Sequence, residues 1–295
     1  FRSIDFAGAT AEEMLRVRED YAAAGTLTLF PTIASAPLEV MLESIKNIRA
    51  AGYDGAHVEG RWLNPKRRGA HNPAMLALPS LVELEELLKA ADGMKLHLTT
   101  APELDGGEKF IRAAVAAGVT VGAGHTDMTV EMAYKALEWG VASFTHTFNA
   151  MPPMHHREPG AVVAALNSDA YAELICDGIH LHPEMIKLAS KIKSRDKVVL
   201  VTDSMAATGC PDGVYMLAGQ RVTVNGGRAL TDDGAIAGST LSLYDGMMNY
   251  MRFTGVSIAD AIDAATINPA RMVGIDNLAG SIAVGKRAAI MELTI

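Results

Sequence analysis

The sequence predicts an α/β fold, a (β/α)8 TIM-like barrel, on three observations. Hydrophobic spacing switches repeatedly between a helical period and short apolar runs, with Gly or Pro at the joins. Titratable residues recur just after the apolar runs, where a barrel of this kind keeps its chemistry. The 295 residues, 49% hydrophobic and 20% charged, suffice for one large core, and no low-complexity linker or second core-sized segment interrupts them.

Strands are predicted at residues 26–31, 55–58, 95–99, 119–123, 143–147, 172–176 and 197–202. Helices are predicted at 11–24, 38–51, 81–91, 108–117, 130–139, 161–167 and 184–193. Because the first visible element is a helix whereas such a barrel begins with a strand, the first strand is expected upstream of Phe1. Asn225-Gly226-Gly227 is a hairpin signal within 222–231, so residues 219–232 are read as a hairpin insertion in a barrel domain spanning 1–282. Helices follow at 242–253 and 258–272, and residues 288–295 read as one further strand within a separate 283–295 segment.

Lys and Arg number 26 against 34 Asp and Glu, giving a formal charge of −8 and a pI of about 5.6. With no long basic run, no nucleic-acid partner is expected. An anionic small molecule stays open, because a few local Arg, His and backbone N–H groups can hold a phosphate whatever the total charge. Cys176 and Cys210 are too few for a disulfide framework and form no C-x-x-C pair, which fits a reducing, cytoplasmic setting. No apolar run reaches the roughly 18 residues of a membrane span, and Phe1-Arg2-Ser3-Ile4-Asp5 is unlike a signal peptide, so no membrane partner is expected.

The apolar runs end at Glu59, His125, His146, His180 and Asp203. A lone histidine in such a place more often caps a helix or completes a loop network, but no other part of the chain gathers so many titratable groups at equivalent positions. One carboxylate and two imidazoles suit Zn2+ or another divalent ion and leave a position open for water. Asp203, issuing from the apolar run Val198-Val199-Leu200-Val201, is placed to act as base and then acid. The chemistry indicated is metal-assisted hydrolysis, with His180 not yet separable from the ligands.

Other histidines divide differently. His180-Leu181-His182 has metal-pair spacing, but Pro183 and Glu184 read as the first turn of a helix with His182 near its cap. His97 alternates with Leu96 and Leu98 and reads as an interior barrel residue. Residues 151–160 bring His155, His156 and Arg157 together before a helix whose N-terminus favours an anion. Neither Ala237-Gly238-Ser239 nor Gly226-Gly227 has the P-loop pattern, and both cysteines read as inert.

Across nearly its whole length the chain resembles the N-acetylglucosamine-6-phosphate deacetylases of the amidohydrolase superfamily. The resemblance runs through His57-Val58-Glu59-Gly60, Asn64-Pro65-Lys66-Arg67-Arg68-Gly69-Ala70-His71, Ala101-Pro102-Glu103, Gly124-His125-Thr126 and Thr145-His146-Thr147-Phe148-Asn149-Ala150-Met151. It continues through His155-His156-Arg157-Glu158-Pro159-Gly160, Asp177-Gly178-Ile179-His180, Val201-Thr202-Asp203, Ala237-Gly238-Ser239-Thr240 and Asn268-Pro269-Ala270. It implies one divalent metal ion on Glu59, His125 and His146, zinc first and Fe, Mn or Co also compatible. It implies Asp203 as catalytic acid/base, and substrate contacts from Ala70, His71, Asn149, Ala150, Arg157, Asp177, Gly178, Ile179, His180, Ile236, Ala237 and Gly238. His180 is thereby moved from the possible ligands to substrate binding.

The implied reaction is hydrolysis of the acetamide of N-acetylglucosamine 6-phosphate to glucosamine 6-phosphate and acetate, in amino-sugar breakdown. The alternatives are the same deacetylation on N-acetylgalactosamine 6-phosphate and a non-catalytic sugar-phosphate binder. A homodimer is also implied, since in relatives the phosphate-binding Arg can come from a neighbouring subunit. This chain departs from the family at Arg61, a cation beside a presumed ligand where Pro is usual, and at Ala289-Ile290, where the usual Asp after Ala is lacking. The H-x-H pair that many amidohydrolases carry on the first strand is not in it, and most of the small β-sandwich built from both termini is expected to be missing.

Overall fold

In the computed structural model, which describes residues 2–292, helices and strands alternate as α1 (Ala11–Ala23), β1 (Thr32–Ala34), α2 (Leu38–Ala50), β2 (Gly55–Glu59), α3 (Leu81–Ala91), β3 (Lys95–Thr100), α4 (Gly107–Ala116), β4 (Thr120–Ala123), α5 (Val130–Glu138), β5 (Ser143–Phe144), α6 (Gly160–Asn167), β6 (Tyr171–Ile175), α7 (Pro183–Ile192) and β7 (Val198–Val201). The seven strands form one sheet in chain order, every neighbouring pair parallel. Parallel strands crossed by helices must be covered on both faces, which is why they read as short, nearly continuous apolar runs. This is the α/β barrel that the alternation predicts.

The helices lie where capping and periodicity place them. Thr10 and Glu13 form a capping box on α1, and Ser80 and Thr129 cap α3 and α5 through their hydroxyls. Leu84, Leu87 and Ala91 turn one face of α3 into the core that α2 supplies from Met41, Ile45 and Ile48. His182 is the N-cap of α7, accepting the Glu184 N–H at 3.2 Å, as the Pro183-Glu184 reading anticipates.

β7 is followed by a separate antiparallel sheet of β8 (Gly213–Leu217), β9 (Gln220–Asn225) and β10 (Arg228–Thr231), then by α8 (Leu243–Thr254), α9 (Ile258–Ala265) and α10 (Ile267–Met272). Asn225 pairs with Arg228 across a two-residue turn in which Gly226 and Gly227 have φ of +58° and +79°. Both values are left-handed, as a type I′ hairpin requires. Met205, Val222, Val224, Ala229 and Ala237 give this sheet its own small core.

Four expectations need correction. The first strand is paired over Thr32–Ala34, not 26–31, because backbone partners on β2 begin only at His57. The helix read over 258–272 breaks at Thr266, where Pro269 has no N–H to return to Ala265. β8 was not foreseen: its run is apolar throughout, with Val214 and Met216 turned to solvent, so no alternation marks it. The strand read over 288–295 is not formed at 288–292, which carry no regular structure, and its last three residues lie outside the described residues.

The sheet order ends at β1 and β7, and a cavity of about 1080 Å3 takes in Thr32 on one and Val199 and Val201 on the other. It opens onto the strands' C-terminal ends, where Glu59, His125, His146 and Asp203 join its wall. No helix among the described residues is long and apolar enough to cross a membrane.

One buried side chain locks the last helix to β7. The Asn268 amide, 1% exposed, donates to the Arg195 and Val198 carbonyls at 2.8 Å each. Asn268→Ala leaves two carbonyls unpaired and should lower stability by about 2–3 kcal/mol, read as a lower urea midpoint with an unchanged slope.

Candidate active site

Each acid or imidazole of the site issues from a different strand end. Glu59 is the last residue of β2, His125 and His146 stand two residues beyond β4 and β5, and Asp203 two beyond β7. His125, His146 and Asp203 have φ of +47°, +31° and +50°. A left-handed backbone at a residue with a Cβ costs about 1–3 kcal/mol and persists only where the surroundings enforce it. Here it accompanies three side chains that all face the same cavity. Behind Glu59, Gly60 at φ +140° runs so close to Ser35 that an added Cβ would fall 2.8 Å from the Ser35 nitrogen, so only glycine fits.

Glu59, His125 and His146, each 6% exposed, bring their donor atoms together. His146 Nε2 lies 2.9 Å from Glu59 Oε1, His125 Nε2 lies 3.2 Å from that oxygen, and the two nitrogens are 3.1 Å apart. Bonds of about 2.0–2.1 Å to a tetrahedral ion imply ligand atoms about 3.3 Å from one another, so this triangle fits the face of such a site. The His125 Nδ1–H donates to the Arg67 carbonyl at 2.8 Å, which turns Nε2 toward Glu59 and His146 as the nitrogen left to meet a cation. Burial disfavours the Glu59 charge, yet hydrogen bonds from His125 and His146 hold its carboxyl well below the usual range. Burial likewise opposes the His146 charge, but the Glu59 carboxylate outweighs it and raises that imidazole to about 9. The buried carboxylate thus recruits a positive charge, the electrostatic demand that a divalent ion meets.

His71 is a third imidazole beside them, with donor atoms of Glu59, His71 and His125 within 4.8 Å of one another. Its Nδ1 accepts the Ser35 N–H at 3.4 Å, which leaves the proton on Nε2. Burial, reinforced by the His125 charge, pushes its pKa down to about 3, so it is a neutral hydrogen-bond donor. His146 makes the tighter contacts, its Nε2 lying 2.9 Å from Glu59 Oε1 and 3.1 Å from His125 Nε2.

Asp203 has its carboxyl pushed upward, first by burial and then by the Glu59 charge. Its own carbonyl accepts the Ser239 N–H at 2.7 Å, which ties the turn after β7 to the segment carrying Ile236, Ala237 and Gly238. Asp177 folds its loop around itself: Oδ1 accepts the N–H groups of Ile179 and His180 at 2.8 Å, and Oδ2 lies 2.6 Å from His180 Nδ1.

Ala70, His71, Asn149, Ala150, His180, Ile236 and Gly238 line the cavity with the three converging groups and Asp203. Asp177, Gly178, Ile179 and Ala237 are not in its wall. Arg157 is exposed and also outside it, its guanidinium donating to His156 Nε2 at 2.7 Å. Arg61 does not threaten Glu59: its guanidinium pairs with Glu83 at 3.1 Å and donates to the Ala36 carbonyl. With φ at +66°, its backbone is one that proline cannot adopt, so this departure changes the chain path as well as the side chain. Glu103, read only as part of a motif, gathers hydrogen bonds from three donors beside His125. No residue spacing signals that, because the donors come from separate loops.

A parallel α/β barrel with buried Glu and His donors at its strand ends defines a metal-dependent hydrolase of the amidohydrolase type. The chain belongs to the amidohydrolase family, whose pattern matches residues 5–293. It is 36% identical over 278 residues to an N-acetylgalactosamine-6-phosphate deacetylase of Escherichia coli O157:H7, covering 91% of this chain and 74% of that one. It is 42% identical over 236 residues to an N-acetylglucosamine-6-phosphate deacetylase of Bacillus subtilis, covering 79% of this chain and 59% of that one. Among solved structures, the N-acetylglucosamine-6-phosphate deacetylase of Pasteurella multocida superposes with a TM-score of 0.92 at 29% identity, over 97% of this chain and 77% of the other. A mutant of the Mycobacterium smegmatis enzyme in complex with N-acetyl-D-glucosamine-6-phosphate gives 0.90 at 35%, over 96% and 76%.

The Asp177 loop yields a pH test. Burial opposes its charge, but the His180 hydrogen bond outweighs this and lowers the carboxyl below its usual value. A depressed acid stabilises the fold fully above its unfolded pKa of about 3.9 and loses that contribution as pH falls through its folded value. Asp177→Asn should therefore be less stable than the parent by about 1.5–3 kcal/mol at neutral pH. In urea denaturation the gap should shrink below about pH 4 and close once Asp177 itself protonates.

Proposed function

We propose that this chain hydrolyses the acetamide of N-acetylglucosamine 6-phosphate to glucosamine 6-phosphate and acetate. The observation that carries the reading is the meeting of Glu59, His125 and His146 within 3.2 Å of one another, beside Asp203 and His71. A divalent ion held by those three, zinc by preference, supplies Lewis acidity to the attacking water and to the amide carbonyl when bound. Every other step belongs to side chains.

Asp203 takes the proton of the attacking water and returns it to the nitrogen as the C–N bond breaks, since an amide anion is a very poor leaving group. Its raised pKa lets it hold that proton between the two transfers. The His71 Nε2–H donates to the carbonyl oxygen as negative charge develops there, and its low pKa keeps it a neutral donor throughout. His180, oriented by Asp177, lines the same cavity and suits the sugar phosphate. Ala70, Asn149, Ala150, Ile236 and Gly238 complete the enclosure, and Gly178, Ile179 and Ala237 adjoin His180 and Ile236 in the chain.

Arg157, forked and exposed, also suits a phosphate. Standing outside this chain's own cavity wall, it fits a homodimer in which its loop serves the neighbouring site. The free Cys176 and Cys210 fit a cytoplasmic setting. Residues 2–282 then form the catalytic barrel with its inserted sheet.

A second reading has its own support. The E. coli O157:H7 relative, matched over 91% of this chain, is named for the galactosamine epimer. The two substrates differ at one hydroxyl, so kcat/KM measured side by side decides between them, the larger value naming the substrate.

Acetate release from N-acetylglucosamine 6-phosphate should be supported by added Zn2+ and abolished by chelator. No release from folded, zinc-supplemented protein on either epimer would reject the enzymatic reading in favour of a sugar-phosphate binder. Asp203→Asn should lower kcat about 10²–10⁴-fold with metal content unchanged by elemental analysis. Full activity in that variant would remove Asp203 from the proton transfers.

A further inference from the structure

The carboxylate of Glu103, just beyond β3, is the common acceptor for the loops on either side of it. Its Oε1 takes the Asn64 amide at 2.8 Å and the Asp127 N–H at 2.7 Å, and its Oε2 takes the Thr126 hydroxyl at 2.6 Å. Asn64 opens the loop that leads to Ala70 and His71; Thr126 and Asp127 directly follow His125. Glu103 accepts from both neighbouring loops, and Asn64 links the same three segments from the first loop. The first loop is also closed on the second by the Asn64 N–H donating to the His125 carbonyl at 2.9 Å and by Arg67 Nε donating to Asp127 at 2.8 Å.

These contacts meet at one ring. His125 Nδ1 is fixed by the Arg67 carbonyl in the Asn64 loop, while the His125 backbone is fixed by the segment that Glu103 grips. The ring's direction therefore depends on the register between two loops, and Glu103 sets that register. We infer that Glu103 is a positioning residue for the metal centre, holding His125 Nε2 in line with Glu59 and His146 although its own oxygens are taken up by Asn64, Thr126 and Asp127. The inference rests on the metal-site reading of Glu59, His125 and His146. It needs acceptors at both oxygens, which a carboxylate supplies, whereas a neutral amide turns an NH2 donor toward one of the three donors.

The test is zinc affinity by competition with a chromophoric chelator, together with the visible spectrum of the cobalt-loaded chain, whose bands report ligand geometry. Glu103→Ala should weaken zinc binding about 10–100-fold and shift the cobalt bands. The isosteric Glu103→Gln, which keeps the volume, should lose affinity in the same direction by a smaller factor, and carries the test if the alanine variant does not fold. Asn268→Ala, which breaks two buried hydrogen bonds away from the site, serves as the control for general destabilisation and should leave affinity and spectrum unchanged. Parent-like zinc affinity in the folded Glu103 variants, or an equal loss in Asn268→Ala, would overturn the inference. Failure of the parent chain to take up zinc or cobalt is a different result: it overturns the metal reading itself and the inference with it.

Discussion

A carboxylate buried between two imidazoles is the constraint around which this molecule is organised. Glu59 is almost inaccessible, and a charge taken out of water is costly unless something positive meets it. His146 meets that charge, its imidazole raised to about 9 by the Glu59 carboxylate. The surrounding structure keeps the three groups from relaxing away from one another: parallel strands set their spacing, left-handed turns swing the histidines inward, and the Arg67 carbonyl fixes the His125 tautomer. An apolar core of the same volume would need none of these devices. Their presence together is the physical case that the site is built for a cation.

The same constraint explains why the polar neighbours differ so much in character. His71 and Asp203 share the cavity, yet burial pushes one to stay neutral as a base and the other to hold on to a proton. Groups whose environments separate them in this way can divide donor and proton-carrier roles between them. Farther from the carboxylate, Asp177 keeps its charge because two backbone N–H groups and His180 surround it. The overall charge of −8 has no bearing on any of this, since local donors govern each group.

Most of the barrel could be read from the sequence because each strand is a short apolar run and several helices, α1, α3, α5 and α7 among them, carry their own side-chain cap. The site could be read for a related reason. Glu59, His125, His146, His180 and Asp203 are polar residues forced to appear where those runs stop, and strand ends converge in a barrel. Misreadings arose where local pattern and tertiary pairing diverge. Residues 26–31 look like a strand, but only the Pro31 carbonyl reaches β2, whereas Thr32–Ala34 pair along it. β8 hides because its apolar residues face both ways, and the break at Thr266 follows from a proline three residues later. Glu103 and the pairing of Arg61 with Glu83 were illegible for a deeper reason: each depends on contacts between segments distant in the chain, which no local spacing encodes.

The central claim is that Glu59, His125 and His146 hold one divalent ion. X-ray absorption at the zinc edge of the zinc-loaded chain examines it most directly, because it reports ligand type without depending on turnover. The account predicts nitrogen and oxygen ligands only, at about 2.0–2.2 Å, with the scattering pattern of two imidazoles. Sulfur at about 2.3 Å, or zinc bound without imidazole, would contradict it.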